Sequence, residues 1–196
     1  SVYLRGNNTT AFDSSFTLTN SELLQFYYYG IYQFYCTKPV ITKNKIDNWG
    51  RRLAPSFTYG VYMYYTDHFK LNGNYIRTSA TQTPYSLYIY YCDGTSSSRS
   101  ELRNNMITAP RKTYLTSRTF YNIRIYNSRY MDFQYNNILL NSGGAGAYCA
   151  YVYGPNMNLK NNNITNLSSG YAYYRLSTGI TETYNNIYAP NGTRSN

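Results

Sequence analysis

The chain has 196 residues, with 18 Lys and Arg against 8 Asp and Glu, a formal net charge of +10, and only 13% charged residues. That length makes one domain, and its 42% hydrophobic content suffices for a core only because 28 tyrosines supply so much of it. No 18-residue apolar run is present to form a membrane-spanning helix, and three cysteines without a CxxC pair beside a single histidine argue against zinc or dithiol chemistry.

In chain order, the sequence opens Ser1-Val2-Tyr3-Leu4-Arg5 without an initiator Met or an apolar leader, as expected of a mature or excised segment. Within residues 1–25, Ser21-Glu22-Leu23-Leu24-Gln25 after Thr19-Asn20 reads as a short helix, a candidate cap for the first coil. From Phe26 to Ala189 two motifs alternate in strict order.

The first motif is tyrosine-rich. It reads Gly30-Ile31-Tyr32-Gln33-Phe34-Tyr35, Gly60-Val61-Tyr62-Met63-Tyr64-Tyr65, Ser86-Leu87-Tyr88-Ile89-Tyr90-Tyr91, Asn122-Ile123-Arg124-Ile125-Tyr126-Asn127, Cys149-Ala150-Tyr151-Val152-Tyr153-Gly154 and, more loosely, Tyr171-Ala172-Tyr173-Tyr174-Arg175-Leu176. Successive side chains of a strand point to opposite faces. One parity (Ile31/Gln33, Val61/Met63, Leu87/Ile89, Ile123/Ile125, Ala150/Val152) suits a core, and the other an outer face.

The second motif is close to Asn-Asn-Ile. It begins at Asn44, Asn74, Asn104, Asn136, Asn162 and Asn185, at steps of 30, 30, 32, 26 and 23 residues. A recurring supersecondary unit of this size, with turn residues such as Asn72-Gly73, Asp93-Gly94 and Gly143-Gly144 between the motifs, predicts an all-β parallel solenoid of about six coils over residues 26–189. Residues 190–196 form a tail without an amphipathic cap, so an open end is expected, continued by a longer parent chain or by another subunit. Stacked about 4.8 Å apart, the asparagine amides can hydrogen-bond along the axis, which makes the Asn column a structural ladder.

Cys36 and Cys92 occupy the same place in coils two apart, with Thr66 between them; about 9.6 Å is beyond disulfide reach, so both are expected to be free and buried. Cys149 sits at another phase. Sequons at Asn7, Asn8, Asn163, Asn166 and Asn191 are of the number that an Asn- and Thr-rich chain produces by chance. The cations fall in short clusters (Lys43 and Lys45, Arg51-Arg52, Arg99 and Arg103, Arg111-Lys112, then Arg118, Arg124 and Arg129) that keep a strand-rich surface soluble. No nucleic-acid-binding signature accompanies them.

The repeated Asn-Asn-Ile and Gly-Val-Tyr-x-Tyr-Tyr segments resemble the right-handed parallel β-helix proteins, which include pectate-lyase-like enzymes and adhesin-like surface proteins. That resemblance, with the usual handedness of β-crossovers, implies a right-handed helix. Enzymes on this fold use acidic calcium ligands or close carboxylates. The eight acids here are scattered, and Asp67, His68 and Asp93, just after the Tyr-rich strands of adjacent coils, make the closest constellation.

The outward aromatics argue for binding instead. Tyr32, Tyr62, Tyr88, Tyr126, Tyr151 and Tyr173 are expected in one column, and Phe34, Tyr64, Tyr90 and Tyr153 in a second, offering flat rings to sugars or to a partner surface. Expected, then, is a non-enzymatic, extracellular or cell-surface structural or adhesive element without metal or cofactor. It would contact copies of itself, as in a filament or sheath, or neighbouring domains of a surface protein. The alternative is a glycan-binding or polysaccharide-cleaving module.

Overall fold

A computed structural model describes residues 1–6, 13–49, 56–80, 83–109, 119–141 and 143–195, and among them every regular element is a strand. The sequons at Asn7 and Asn8 and the cations Arg51, Arg52, Arg111, Lys112 and Arg118 lie outside the described residues. The strands form three parallel sheets. The first stacks Val2–Arg5, Tyr29–Thr37, Phe57–Asp67, Thr83–Tyr90, Phe120–Tyr126, Ala147–Tyr153 and Tyr171–Arg175, with the short strand Asp13–Ser14 also paired to Tyr29–Thr37. The second runs from Thr17–Thr19 through Ser100–Arg103 to Ile180–Thr183, and the third from Glu22–Leu24 through Met106–Ala109 to Asn186–Tyr188. Each rung contributes one strand to each sheet in turn, giving a β-solenoid of about six turns from first rung to last.

The alternation read in the Tyr-rich motif decides which residues fill the interior. Ile31, Val61, Leu87, Ile123 and Ala150 pair in register and are buried, as are Met63, Ile89, Ile125 and Val152. The second sheet adds Ile41, Leu71, Leu102, Phe133 and Leu159, and the third adds Ile46, Ile76, Ile107, Ile138 and Ile164. Each rung therefore lays its apolar side chains on the matching side chains of the next. The three cysteines are buried and form no disulfide. Thr66 donates its backbone N–H to Cys92 Sγ at 3.4 Å, and Cys92 N–H donates to Ser128 Oγ at 3.0 Å.

Between the second and third sheets each rung turns through a left-handed residue. These are Asn20, Lys43, Gly73, Asn104, Tyr135, Asn161 and Tyr184, with φ between 50° and 68°. From the second rung on, the next residue turns inward and forms the ladder: Asn44, Asn74, Asn105, Asn136, Asn162 and Asn185. In every step Nδ2 donates to Oδ1 of the next rung at 2.9–3.0 Å, and the same Oδ1 accepts the backbone N–H of the preceding Asn. The second amide hydrogen reaches a backbone carbonyl behind it, as from Asn105 to Leu71 O at 2.8 Å. From Asn44 to Asn162 both donors and the acceptor of each amide are thus used within the protein, and Asn185 at the end of the ladder donates, among the described residues, only to Leu159 O.

Four expectations are corrected. The ladder member in the fourth rung is Asn105, not Asn104, which is the exposed left-handed turn residue at φ 54°. Glu22–Leu24, expected as part of a short helix, is a strand paired with Lys45–Asp47, because the next rung offers it a template. Tyr173 points inward, opposite Ala150, and is 2% exposed, whereas Tyr174 takes the outer place opposite Tyr151. Tyr126 belongs to the second expected column, and Arg124 stands in the first. The tail also adds to the sheet, since Ala172 and Tyr173 N–H donate to the Thr193 and Arg194 carbonyls.

Candidate functional site

The outer face of the first sheet is the most distinctive surface, and strand register builds it. Four side-chain columns run along the axis. The first is Tyr29, Tyr59, Tyr85, Tyr121, Tyr148 and Tyr171; the second is Tyr3, Tyr32, Tyr62, Tyr88, Arg124, Tyr151 and Tyr174; the third is Arg5, Phe34, Tyr64, Tyr90, Tyr126 and Tyr153; the fourth is Tyr35, Tyr65 and Tyr91. Ring centroids repeat with the rungs. Tyr32 lies 5.1 Å from Tyr62 and Tyr62 lies 5.1 Å from Tyr88, with interplanar angles of 1° and 3°. Between the first and second columns rings meet edge to face, as in Tyr59 against Tyr62 at 85°, an arrangement that the aromatic quadrupole favours.

The stacking changes what the rings offer. Each interior ring has neighbours on both faces, so ring edges and hydroxyls remain for a ligand. The expectation of flat rings laid open to sugars rests on periodicity alone, without the 5.1 Å spacing that closes the faces. Sequence reasoning also missed the first and fourth columns, although Tyr29, Tyr59 and Tyr85 recur three residues before Tyr32, Tyr62 and Tyr88, a signal that could have found the first.

Burial, reinforced by neighbouring phenols, pushes the pKa of Tyr32 and Tyr151 up to about 12 and that of Tyr59 and Tyr62 higher still. Tyr64, in the more open third column, is also pushed up to about 12, by burial and by its hydrogen bond with Tyr65.

Arg124 is the cation in the middle of this face. Its guanidinium lies 4.9 Å from the ring centroids of Tyr121 and Tyr126, 5.4 Å from that of Tyr88 and 5.9 Å from that of Tyr151, and Nη1 donates to Tyr88 Oη at 3.3 Å. Four rungs away, Arg5 lies over the Phe34 ring at 5.6 Å. Among the described residues no carboxylate pairs with either.

Asp67, His68 and Asp93 lie at the corner after the first sheet, but their functional atoms part. Asp67 Oδ1 accepts the N–H of Asp93 at 2.8 Å, and Asp93 in turn accepts the N–H and Nε of Arg129 at 3.1 and 2.8 Å. Burial raises the Asp67 pKa above the ordinary carboxylate range, with the Asp93 amide offsetting part of that. His68 instead holds Ser98 O through Nδ1 at 2.8 Å and lines a groove of about 350 Å³ with Lys38, Lys70, Arg99 and Glu101. Asp93 lines a different cleft of about 270 Å³ beside Arg129.

Five further acids, those whose side chains are described, bridge rungs or brace the last one. Glu22 pairs with Lys45, Asp47 with Arg77, Glu101 with Lys70, Asp132 with Arg99 and Arg103, and Glu182 with Arg175. Burial raises the Asp132 pKa, but hydrogen bonds from Asn158, Arg99 and Arg103 outweigh it and hold the carboxyl below its usual range.

Of the expected sequons, Asn166 is fully buried and donates to Tyr171 O, while Asn163 and Asn191 are exposed. The family model for the right-handed β-helix region matches residues 2–192. Comparison with curated proteins and with solved structures returns no match. Because the family match spans nearly the whole chain and the rungs are parallel throughout, the chain belongs to the right-handed β-helix family.

Proposed function

We propose that the protein is a non-enzymatic, extracellular structural or adhesive solenoid, which presents its tyrosine sheet to other copies of itself or to neighbouring domains of a surface protein. The observation that carries this reading is the tyrosine face, whose second column runs about 29 Å over six rung spacings, flanked by shorter columns on both sides. A contiguous aromatic surface of that extent costs solubility when left bare, and rings already ordered by stacking lose little conformational entropy on contact. The acids lend support: apart from Asp13, whose side chain lies outside the described residues, each is engaged in a bond between rungs or within the last one. The Asn-, Thr- and Tyr-rich composition and the buried, unreactive thiols suit an exported scaffold.

A second reading is a glycan-binding surface, favoured by the rows of phenolic groups that repeat with every rung. It would act through hydroxyl hydrogen bonds at ring edges rather than ring stacking. Cleavage near Asp67, His68 and Asp93 draws no support from groups that face two different clefts. Negative-stain microscopy beside a glycan array separates the readings. Association that grows with concentration and an empty array support the structural role, whereas glycan hits on a monomer overturn it.

A further inference from the structure

At the corner between the first and second sheets, the fourth rung departs from the third. His68-Phe69 joins Asp67 to Lys70, whereas Gly94-Thr95-Ser96-Ser97-Ser98-Arg99-Ser100 joins Asp93 to Glu101, the residue in register with Lys70. The added residues Thr95 to Ser98 stand exposed over the corner. Thr95 N–H donates to Ser98 O at 2.9 Å and Ser98 N–H donates to Thr95 Oγ1 at 3.0 Å, which closes the turn. Arg99 pins its base: Nε donates to Asp132 Oδ1 at 2.6 Å, and Nη2 donates to the carbonyls of Met131 and Asn156 at 3.0 and 2.6 Å.

This loop walls the groove of about 350 Å³ that Lys38, Val40, His68 and Lys70 line from the neighbouring rungs. Register explains their convergence. Thr37 pairs with Asp67 and Val40 with Lys70, so Lys38 lies one rung from His68, and both take left-handed φ values, 54° and 53°, at the corner. Cations outnumber carboxylates here. Lys70 lies 3.8 Å from Glu101, and Asp132 is shared by Arg99 and Arg103, while Lys38 has no carboxylate partner among the described residues.

The contact with Ser98 O orients the imidazole. A carbonyl only accepts, so Nδ1 carries the proton there and Nε2 is left without a protein partner among the described residues. A phosphate oxygen can meet Nε2 with one proton between them, whichever of the two brings it.

We propose that this groove binds a phosphate dianion, inorganic or borne as a monoester, with Lys38 and Lys70 as its charge partners and His68 Nε2 as its hydrogen-bond partner. The volume beside Val40 leaves room for the organic part of an ester. The site is separate from the tyrosine face and independent of the contacts proposed for it.

His68 is the chain's single histidine, so its imidazole gives one set of nuclear magnetic resonance signals and reads the site directly. The whole chain is titrated at constant pH and ionic strength with inorganic phosphate, with glycerol 3-phosphate and with dimethyl phosphate, a monoanion. Expected with the first two are saturable shifts of the imidazole signals and about tenfold weaker binding in Lys38→Gln, as for loss of one charge-assisted contact. Binding should be unchanged in Lys160→Gln, three rungs beyond Lys70 in the second sheet, and dimethyl phosphate should bind much more weakly. Tighter binding of the glycerol ester than of inorganic phosphate marks an ester site, and the reverse order a site for the free ion.

Lys38 is exposed, so its replacement leaves the fold intact, which circular dichroism checks. Imidazole signals that stay in place or shift without saturating, equal affinity in wild type and Lys38→Gln, a matching loss in Lys160→Gln, or equal binding of dimethyl phosphate overturns the proposal.

Discussion

At the scale of single residues, the ladder and the turn that feeds it divide the work between two asparagines of one doublet. Asn105 is buried and its side-chain amide holds four hydrogen bonds at once, while Asn104 supplies only a left-handed backbone that Asn tolerates better than most residues. The doublet alone could not separate them, since both roles favour Asn and the motif can slide by one. The Ile partner did carry the answer: Ile46, Ile76, Ile107 and Ile138 are in register, which fixes the ladder residue two positions before each.

Asn105→Ala should therefore cost about 3 kcal/mol, since several buried groups lose partners, while Asn104→Gly should be neutral or slightly stabilising. Thermal denaturation of the two variants checks this, and equal melting temperatures would contradict it. Tyr32, Tyr59, Tyr62 and Tyr151 give a pH dependence. Their phenols are held neutral in the fold with raised pKa values, against about 10 in the unfolded chain. Their stabilisation is complete below about pH 10 and should be lost as pH rises from there through about 12. Ultraviolet titration should show the phenols of Tyr32, Tyr59, Tyr62 and Tyr151 ionising only with unfolding; ionisation of these four near pH 10 with the fold intact is the contrary result.

At the scale of elements, the alternation of the Tyr-rich strands was legible because a one-residue slip moves every side chain to the wrong face. It failed where the cue was degenerate. In Tyr171–Arg175 the run Tyr173-Tyr174 reads equally well in either parity, and the interior accepts Tyr173 because its neighbour in register is the small Ala150 and its hydroxyl donates to Glu182 at 3.0 Å. The three-residue strand Glu22–Leu24 is too short to carry a period of its own, so only the neighbouring rung decides its state.

Close approach of rungs sets a further constraint at Gly60, where an added Cβ would lie 2.6 Å from both Ile76 Cγ2 and Ser86 O. Gly60→Ala should destabilise by about 1–3 kcal/mol through overpacking, measurable by denaturant titration. An unchanged midpoint would mean that the strand can shift away from the third sheet.

At the scale of the molecule, stability and surface arise from the same repetition. Columns of aliphatic side chains, amides and ion pairs tie each rung to the next, and the outward parity of the first sheet lines up its Tyr, Phe and Arg side chains in parallel columns. The repeat was readable in the sequence, and with it the solenoid. The surface that the tyrosines present was less so, because spacing of residues along a chain does not disclose that stacking closes the ring faces.

The claim that this face is the working contact surface is tested most directly by sedimentation velocity of wild type against Tyr64→Lys/Tyr90→Lys, in the more open third column, with circular dichroism confirming an intact fold. The wild type is expected to associate more strongly as concentration rises, and the variant to stay monomeric. Association of equal strength in both proteins would contradict it.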